Sequence, residues 1–222
     1  MLQQLIFSKK AVSRRSFLQK SLILSIVFLI AACAGPVSTS GSTGNTAAPP
    51  SATRGAQAPV LTNTPTCNGV ATISQTEGPF YKPNSPERIS LREPGISGTP
   101  LKVTGYVLST TCQPIAHALL DFWQADSNGN YDNTGFKLRG HQYTDNQGRY
   151  SLETIVPGEY PGRTRHIHVK VQAPNGPMLT TQLYFPGESR NDSDGIFSPE
   201  LLMHVQQTNS GELATFNFII AV

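Results

Sequence analysis

The sequence predicts a mainly β fold, a β-sandwich with long loops and little helix. The 222 residues include 19 Gly and 17 Pro, which break helices and mark turns, so a helical bundle or a coiled coil is excluded. Short segments of alternating apolar and polar residues recur along the chain. Turn-forming runs separate them, such as DSNG at 126–129, DNQG at 145–148 and PNGP at 174–177. Regularly spaced short strands of this kind are typical of β-sandwiches.

Six segments have the strand pattern and one has a helix pattern. The predicted strands cover residues 101–109, 118–125, 149–155, 166–173, 179–185 and 213–220. The predicted helix covers residues 198–207, where Ser198 could cap the first turn, Pro199 takes the first helical position and Glu200 follows. The sequence shows no internal repeat and no glycine-rich phosphate-binding loop.

Residues 1–33 have the three parts of an export signal. Residues 1–32 contain five basic residues and no acid, residues 22–32 are apolar, and small residues end the run. The apolar run is about half of the roughly 20 residues that a membrane-spanning helix needs, so a permanent span is not expected. SRRSFL at 13–18 resembles a twin-arginine signal, and IAAC at 30–33 resembles a lipobox, in which Cys33 is lipidated. The alternative is a plain cleaved signal that contains a cysteine.

Residues 34–66 are predicted to be a disordered linker, followed by one folded domain at 67–222. In the linker, 26 of 33 residues are Ala, Gly, Pro, Ser or Thr, and such a segment buries too little to offset its backbone entropy. We therefore expect an exported protein of the bacterial cell envelope or the extracellular space. The expected contact with a membrane is only through an N-terminal lipid anchor, after twin-arginine export.

The net charge of the chain does not indicate a nucleic-acid partner. The formal charge is +3, and without the five basic residues of 1–32 the remainder carries −2. Two cysteines, Cys67 and Cys112, are left after Cys33. In an oxidising compartment these two are expected to form a disulfide.

The run HIHVKV at 166–171 contains a candidate metal site. Ile167 and Val169 fall on one face of a predicted strand, so His166 and His168 share the opposite face, because strand side chains alternate. Two imidazoles on one face can reach a single metal ion. Taken alone, the run fits equally well two histidines on a half-exposed strand.

Two tyrosines in predicted turns favour a metal site over two histidines on a half-exposed strand. Tyr160 lies in a PGEYP turn just before the histidines, and Tyr131 follows the predicted strand 118–125. A phenol loses its proton near pH ~10, so a phenolate ligand at neutral pH needs a strongly polarising cation such as ferric iron. Two tyrosines and two histidines would leave Fe(III) room for solvent or substrate oxygens. Structural zinc is usually enclosed by Cys and His instead. Tyr131 by itself could be a turn residue packed on the sheet.

Five runs in this order resemble the intradiol ring-cleavage dioxygenases, above all their shorter, exported branch. The runs are TEGPFY at 76–81, DFWQAD at 121–126 with Gly129 and Tyr131, PGEYPGR at 157–163, HIH at 166–168 and TQLYF at 181–185. The resemblance implies a non-haem Fe(III) enzyme whose substrates are a small aromatic diol and O2. It implies that a catechol-type ring is cleaved between its two hydroxyls to a muconate-type diacid. The interval from Tyr160 to His166 is shorter than in the protocatechuate enzymes, which leaves the substituents of the ring open.

The resemblance also implies roles for individual residues. The implied metal ligands are Tyr131, Tyr160, His166 and His168. Tyr160 would also act as a general base towards the substrate, and Arg163 would contact the ring and stabilise its negative charge. Tyr81 and Gln182 would contact the substrate, although Tyr81 could equally be a core residue and Gln182 a strand amide without a catalytic role.

Two other functions fit parts of the pattern. Sandwiches outside the cytoplasm also serve as non-catalytic binding modules, and the fold does not distinguish the two. Such a module has no need for four ligand-type residues. A zinc or copper enzyme would retain His166 and His168 but catalyse another reaction. Colour distinguishes the metals, because tyrosinate bound to ferric iron is red-brown and zinc is colourless.

Overall fold

The computed structural model describes residues 65 and 67–222, and in this part of the chain it confirms the predicted β-sandwich. The strands are β1 (Pro100–Ser109), β2 (Leu119–Trp123), β3 (Arg139–Tyr143), β4 (Arg149–Ile155), β5 (His166–Gln172), β6 (Met178–Tyr184), β7 (His204–Thr208), β8 (Gly211–Thr215) and β9 (Phe218–Ile220). Two three-residue 3-10 helices lie at Asn191–Ser193 and Pro199–Leu201. Within the described residues, no helix has the length and apolar character needed to cross a bilayer. The predicted signal, Cys33 and all of the predicted linker except Pro65 lie outside the described residues.

The strands form two sheets. One sheet has the order β4-β1-β8-β7, with β9 also paired to β1, and the other has the order β3-β2-β5-β6. The second sheet is antiparallel throughout. In the first sheet, β8 and β9 both run parallel to β1, while β4 runs antiparallel to it. The fully buried side chains of Val103, Leu152, Leu120, Phe122 and Val169 come from both sheets and belong to one core.

The predicted strand 213–220 is wrong as one continuous element, because β8 and β9 are separate. Phe216 N donates to Thr104 O at 3.0 Å, and the side-chain oxygen of Asn217 accepts from Tyr106 N at 3.0 Å. The Phe216 carbonyl also occupies the place where a Cβ on Gly105 would be. The ladder along β1 is therefore interrupted at residues 216–217 and resumes at Phe218.

The predicted helix 198–207 is also wrong. Only Pro199–Leu201 is helical, as one 3-10 turn, and Ser198 makes no capping hydrogen bond through its side chain. Residues His204–Thr208 instead pair antiparallel with β8, and Met203 N donates to Tyr184 O at 2.9 Å. Hydrogen bonds to neighbouring strands thus override the local start signal for a helix.

The predicted strands did not include β3, whose sequence RGHQY has no apolar alternation. It is held between β2 and residues 86–88: His141 N donates to Pro86 O at 3.0 Å, and Arg88 N donates to His141 O at 2.8 Å. Backbone pairing on both sides forms this strand, so its side-chain pattern does not predict it.

A long segment before β1 crosses the edges of both sheets. Thr72 N donates to Ile219 O and Gln75 N to Thr180 O, both at 2.8 Å, and Leu91 N donates to Glu153 O at 2.7 Å. A disulfide joins Cys67 to Cys112, with Cα atoms 5.6 Å apart, and links the start of this segment to the turn after β1. These links hold residues 76–81 next to β5, where the backbone at Gly78 lies close to the ring of His168.

Candidate metal centre

His166 and His168 lie on one face of β5 and point away from the core. Ile167 and Val169, on the other face, are fully buried in the core. The two imidazoles are themselves only 4% and 3% exposed, and their Nε2 atoms are 3.1 Å apart. Both ring nitrogens therefore converge on one point in a water-poor environment.

Hydrogen bonding leaves the Nε2 atom of His166 unprotonated, with its lone pair directed at the convergence point. Its Nδ1 lies 2.6 Å from Thr164 O, and a carbonyl oxygen only accepts, so Nδ1 carries the proton. Burial lowers the pKa of His166 to about 4. Burial, together with the nearby His166 and Arg163, also lowers the pKa of His168. Both rings are thus neutral near pH 7, which is the form that binds metals.

Trp123 and Gly78 enclose the ring of His168. The Trp123 ring stacks on it with centroids 4.8 Å apart and planes 6° from parallel. On the segment before β1, Gly78 has a φ of +70°, and a Cβ at this position would lie 3.4 Å from Cε1 of His168. The backbone at Gly78 therefore passes close to the imidazole and limits its movement.

Tyr131 brings a phenol oxygen to the same point. Its hydroxyl lies 3.5 Å from Nε2 of His166. Burial raises the pKa of this phenol, so it is neutral at pH 7 unless a cation approaches. The turn after β2 that carries Tyr131 is joined to the turn that carries Tyr160, because Gly158 N donates to Asp126 O at 2.7 Å.

Tyr160 lies beside Tyr131 and is half-buried. Its ring centroid is 6.0 Å from that of Tyr131 and 5.2 Å from that of Phe80, edge-on in both cases. Phe80 in turn stacks on Tyr131 at 4.5 Å. Within the described part of the chain, no hydrogen bond joins the Tyr160 hydroxyl to the other three candidate ligands. The three rings pack together on one side of the centre.

The donor set fits a hard, highly charged cation. No group of three or more His, Cys, Asp or Glu side chains suited to a metal occurs among the described residues, so a metal here depends on phenol oxygens. The measured separations of 3.1 Å and 3.5 Å resemble those of neighbouring donors on one ion, since bonds of about 2.1 Å at right angles place two donors about 3 Å apart. Ferric iron suits two neutral imidazoles and two phenol oxygens, and it can lower the pKa of the phenols.

Arg163 is fixed next to the centre by three side chains. Its Nε donates to both carboxylate oxygens of Asp194, at 3.0 and 2.8 Å. Its Nη2 donates to Gln182 Oε1 at 2.6 Å and to the Tyr184 hydroxyl at 3.3 Å. No acceptor within the described residues takes a hydrogen bond from Nη1. The guanidinium therefore retains one free edge for a bound molecule.

Two of the three residues predicted to contact substrate, Gln182 and Tyr81, already have protein partners that occupy their polar groups. Gln182 is fully buried: its amide nitrogen donates to Thr76 O at 3.0 Å, and its amide oxygen accepts from Arg163. The Tyr81 hydroxyl donates to Asp121 Oδ2 at 3.1 Å, and burial together with Asp121 raises the Tyr81 pKa to about 12. No hydrogen bond in the described part of the chain joins Tyr81 to a candidate ligand.

Sequence reasoning missed Asp194 and Arg139. Arg139 is 1% exposed, and its Nη1 donates to Phe80 O at 2.6 Å. Its guanidinium carbon lies 5.9 Å from the Tyr131 ring centroid. Arg139 therefore ties the segment before β1 to the turn of Tyr131. A lone arginine in a polar strand gives no signal of such a role in the sequence.

Comparison with known proteins identifies the class. The Dioxygenase_C family model, described as Dioxygenase, matches residues 76–220. The solved dioxygenase domain of a dioxygenase carbohydrate-binding protein fusion from Streptomyces sp. SirexAA-E is 56% identical, with a TM-score of 0.68, and the match covers 69% of this chain and 99% of that one. The solved 3-chlorocatechol 1,2-dioxygenase of Rhodococcus opacus is 30% identical, with a TM-score of 0.63, over 68% of this chain and 72% of that one.

Curated relatives agree with the structural neighbours. The 6-chlorohydroxyquinol 1,2-dioxygenase of Cupriavidus pinatubonensis is 28% identical over 171 residues, which are 64% of this chain and 62% of that protein. The catechol 1,2-dioxygenase of Candida albicans is 30% identical over 170 residues, 63% of this chain and 56% of that protein. The chain thus spans about six-tenths of the length of these relatives. The chain belongs to the intradiol ring-cleavage dioxygenase family.

Proposed function

We propose that this chain is a non-haem Fe(III) dioxygenase that cleaves a catechol-type ring between its two hydroxyls with O2. The observation that carries the proposal is the convergence of two neutral imidazole nitrogens, 3.1 Å apart, with the Tyr131 hydroxyl, which lies 3.5 Å from Nε2 of His166 and beside Tyr160. Both oxygen atoms enter the muconate-type diacid, so no external reductant is needed. The catechol, chlorocatechol and hydroxyquinol enzymes among the relatives support this substrate class.

In this proposal, Tyr131, Tyr160, His166 and His168 hold the iron. Bound ferric iron would supply Lewis acidity, which lowers the pKa of the phenol ligands and of the catechol hydroxyls. Thr164 keeps the proton of His166 on Nδ1 and thereby keeps Nε2 free for the metal. Trp123 holds the ring of His168 in place by stacking.

Tyr160 has a second role in the proposal, as the group that takes a proton from the substrate. A catechol that binds through both oxygens loses two protons: Tyr160, as the phenolate that a bound cation would favour, would accept one of them, and solvent would take the other. Tyr160 is more exposed than either histidine, and its hydroxyl has no hydrogen bond to the other three candidate ligands within the described residues. Its position next to the Tyr131 ring keeps that oxygen beside the site.

Arg163 stabilises the negative charge that the ring gains when its hydroxyls are deprotonated. Its guanidinium is held by Asp194 and Gln182, so it is positioned before substrate arrives. The rings of Phe80, Tyr131 and Tyr160 pack against one another beside the centre. A zinc enzyme is disfavoured, because catalytic zinc is usually held by three His, Cys, Asp or Glu ligands, and the described residues contain no group of three such side chains suited to a metal.

The experiment measures oxygen uptake by the iron-loaded full chain with catechol, protocatechuate, chlorocatechol and hydroxyquinol. We expect one O2 consumed per substrate and a diacid carrying both oxygen atoms from 18O2, identified by mass. Resorcinol, whose hydroxyls are not adjacent, is the control and should not react. Uptake with none of the four adjacent diols, or an aldehyde product from cleavage outside the two hydroxyls, would reject the proposal.

We also propose that the chain is exported and anchored by a lipid on Cys33, as the twin-arginine run and the lipobox indicate. Cys33→Ser should move the protein from the membrane fraction to the soluble fraction of the cell envelope. Fractionation and blotting measure this, and Ser40→Ala, in the predicted linker, is the matched control that leaves both the lipobox and the Cys67–Cys112 disulfide intact. A Cys33→Ser protein that stays in the membrane fraction contradicts the anchor.

A further inference from the structure

The loop after β6 is joined to the turn before β5 by three ion pairs. The pairs, with their nitrogen–oxygen distances, are Arg163–Asp194 at 2.8 Å, Arg165–Glu188 at 2.7 Å and Arg190–Glu159 at 2.7 Å. Asp194 is the most buried member, since its side chain is 2% exposed. Exposed ion pairs contribute little, whereas a buried carboxylate must have partners to be tolerated. The Arg163–Asp194 pair therefore differs from the other two pairs, because its carboxylate is buried and depends on its partners.

Asp194 uses both carboxylate oxygens and binds the turn at two points. In addition to Nε of Arg163, it accepts from Thr164 N at 2.9 Å. It also accepts from Ile196 N at 3.2 Å within its own loop. The side chain and the following peptide of the turn are thus fixed by one buried group.

The contacts of Asp194 with Arg163 and with Thr164 N both connect it to the candidate metal centre. With Nε held by Asp194 and Nη2 held by Gln182, the planar guanidinium cannot rotate, and its free Nη1 edge has one direction. The backbone N–H of Thr164 donates to Asp194, and the backbone carbonyl of the same residue accepts from Nδ1 of His166 at 2.6 Å. Asp194 therefore contacts Arg163 directly and is separated from His166, a candidate ligand, by one residue.

We propose that Asp194 is a positioning residue of this site: it holds Arg163 in the orientation that stabilises the charged ring, and it acts through Arg163. The inference rests on the proposed function. Within the described residues, the Asp194 side chain hydrogen-bonds to Arg163, Thr164 and Ile196 and to none of the four candidate ligands. Its removal should slow turnover without removing iron, and the loss should depend on the presence of Arg163.

A double-mutant cycle in the iron-loaded full chain tests this dependence. We expect Asp194→Asn to lower kcat about tenfold and Arg163→Ala about 100-fold, with iron content unchanged. The double variant should match Arg163→Ala within about twofold, because residues that act as a unit are not additive. Glu188→Gln removes the neighbouring ion pair and is the matched control, with kcat within about twofold of the unsubstituted chain. A double variant about 1,000-fold slower, the product of the two effects, would overturn the proposal.

A second measurement does not depend on activity. In the full chain loaded with diamagnetic Ga(III), NMR should show an Arg163 Nε–H signal that exchanges slowly and is absent from Arg163→Ala. Asp194→Asn should speed this exchange at least about tenfold, and Glu188→Gln should leave it unchanged. Unchanged exchange in Asp194→Asn contradicts the positioning role.

Two further outcomes have defined meanings. If Asp194→Asn does not fold, Asp194→Glu replaces it: the shifted carboxylate should lower kcat at least about threefold, and this effect should vanish in the Arg163→Ala background. An effect that persists there overturns the proposal. An unsubstituted chain without ring cleavage rejects the proposed function alone, since the NMR comparison still reports on Asp194 and Arg163.

Discussion

Replacing His168 with alanine is expected to lower the iron content from about one per chain to below about 0.1. His168 contributes one of two imidazole nitrogens that are 3.1 Å apart, and its loss leaves three candidate ligands around an open position. The ring is buried and stacked on Trp123, so no water-exposed side chain is placed to substitute for it. Loss of a group that only supports a metal ligand typically lowers metal affinity about 10- to 100-fold, and loss of a ligand itself should cost more. Metal analysis of the protein expressed with iron measures the iron content.

Two controls separate iron binding from folding. His204→Ala removes an exposed histidine of β7 and should retain full iron content. The far-ultraviolet circular dichroism of His168→Ala should still show the β-sandwich, because the strand pairing of β5 with β2 and β6 uses backbone atoms. A folded His168→Ala chain with one iron atom would remove His168 from the ligand set.

Replacing Arg163 with alanine is expected to lower kcat about 100-fold, the lower end of the loss typical when one pre-positioned donor to a developing negative charge is removed. Iron content should stay unchanged, since the Arg163 side chain bonds to Asp194, Gln182 and Tyr184 and to none of the four candidate ligands. Steady-state kinetics with the best catechol and metal analysis of the same sample measure both quantities.

Arg165→Ala is the matched control for Arg163→Ala. Arg165 lies two residues further along the chain and pairs with Glu188 instead of Asp194. Its loss should change kcat less than about threefold, because a partly exposed ion pair contributes little. Equal rates for Arg163→Ala and the unsubstituted enzyme would reject the electrostatic role, and equal losses for both variants would show that the turn as a whole matters.

The sequence predicted those strands whose apolar residues alternate. β4 matches its predicted range of 149–155, and β1, β5 and β6 match within one residue at each end. β3 and β7 have polar sequences, RGHQY and HVQQT, and form because neighbouring strands offer backbone partners. The false helix at 198–207 has the same cause, since its second half is β7.

The candidate ligands could be predicted because the signal is local. His166 and His168 share one strand face, and Tyr160 lies only six residues before His166. The residues that support the site gave no such signal. Asp194 bonds to Arg163 across 31 residues, and Arg139 bonds to Phe80 across 59. Contacts of this range depend on how loops pack, which no periodic pattern in the sequence specifies.

The visible absorption spectrum of the purified, iron-loaded full chain tests the central claim most directly. We predict a red-brown protein with a broad visible band from phenolate bound to ferric iron, which changes when catechol is added under argon. Tyr131→Phe and Tyr160→Phe should each weaken or abolish that band, because each removes one phenol oxygen next to the paired histidines. A colourless protein with one ferric ion per chain, or a band unchanged in both variants, would contradict the account.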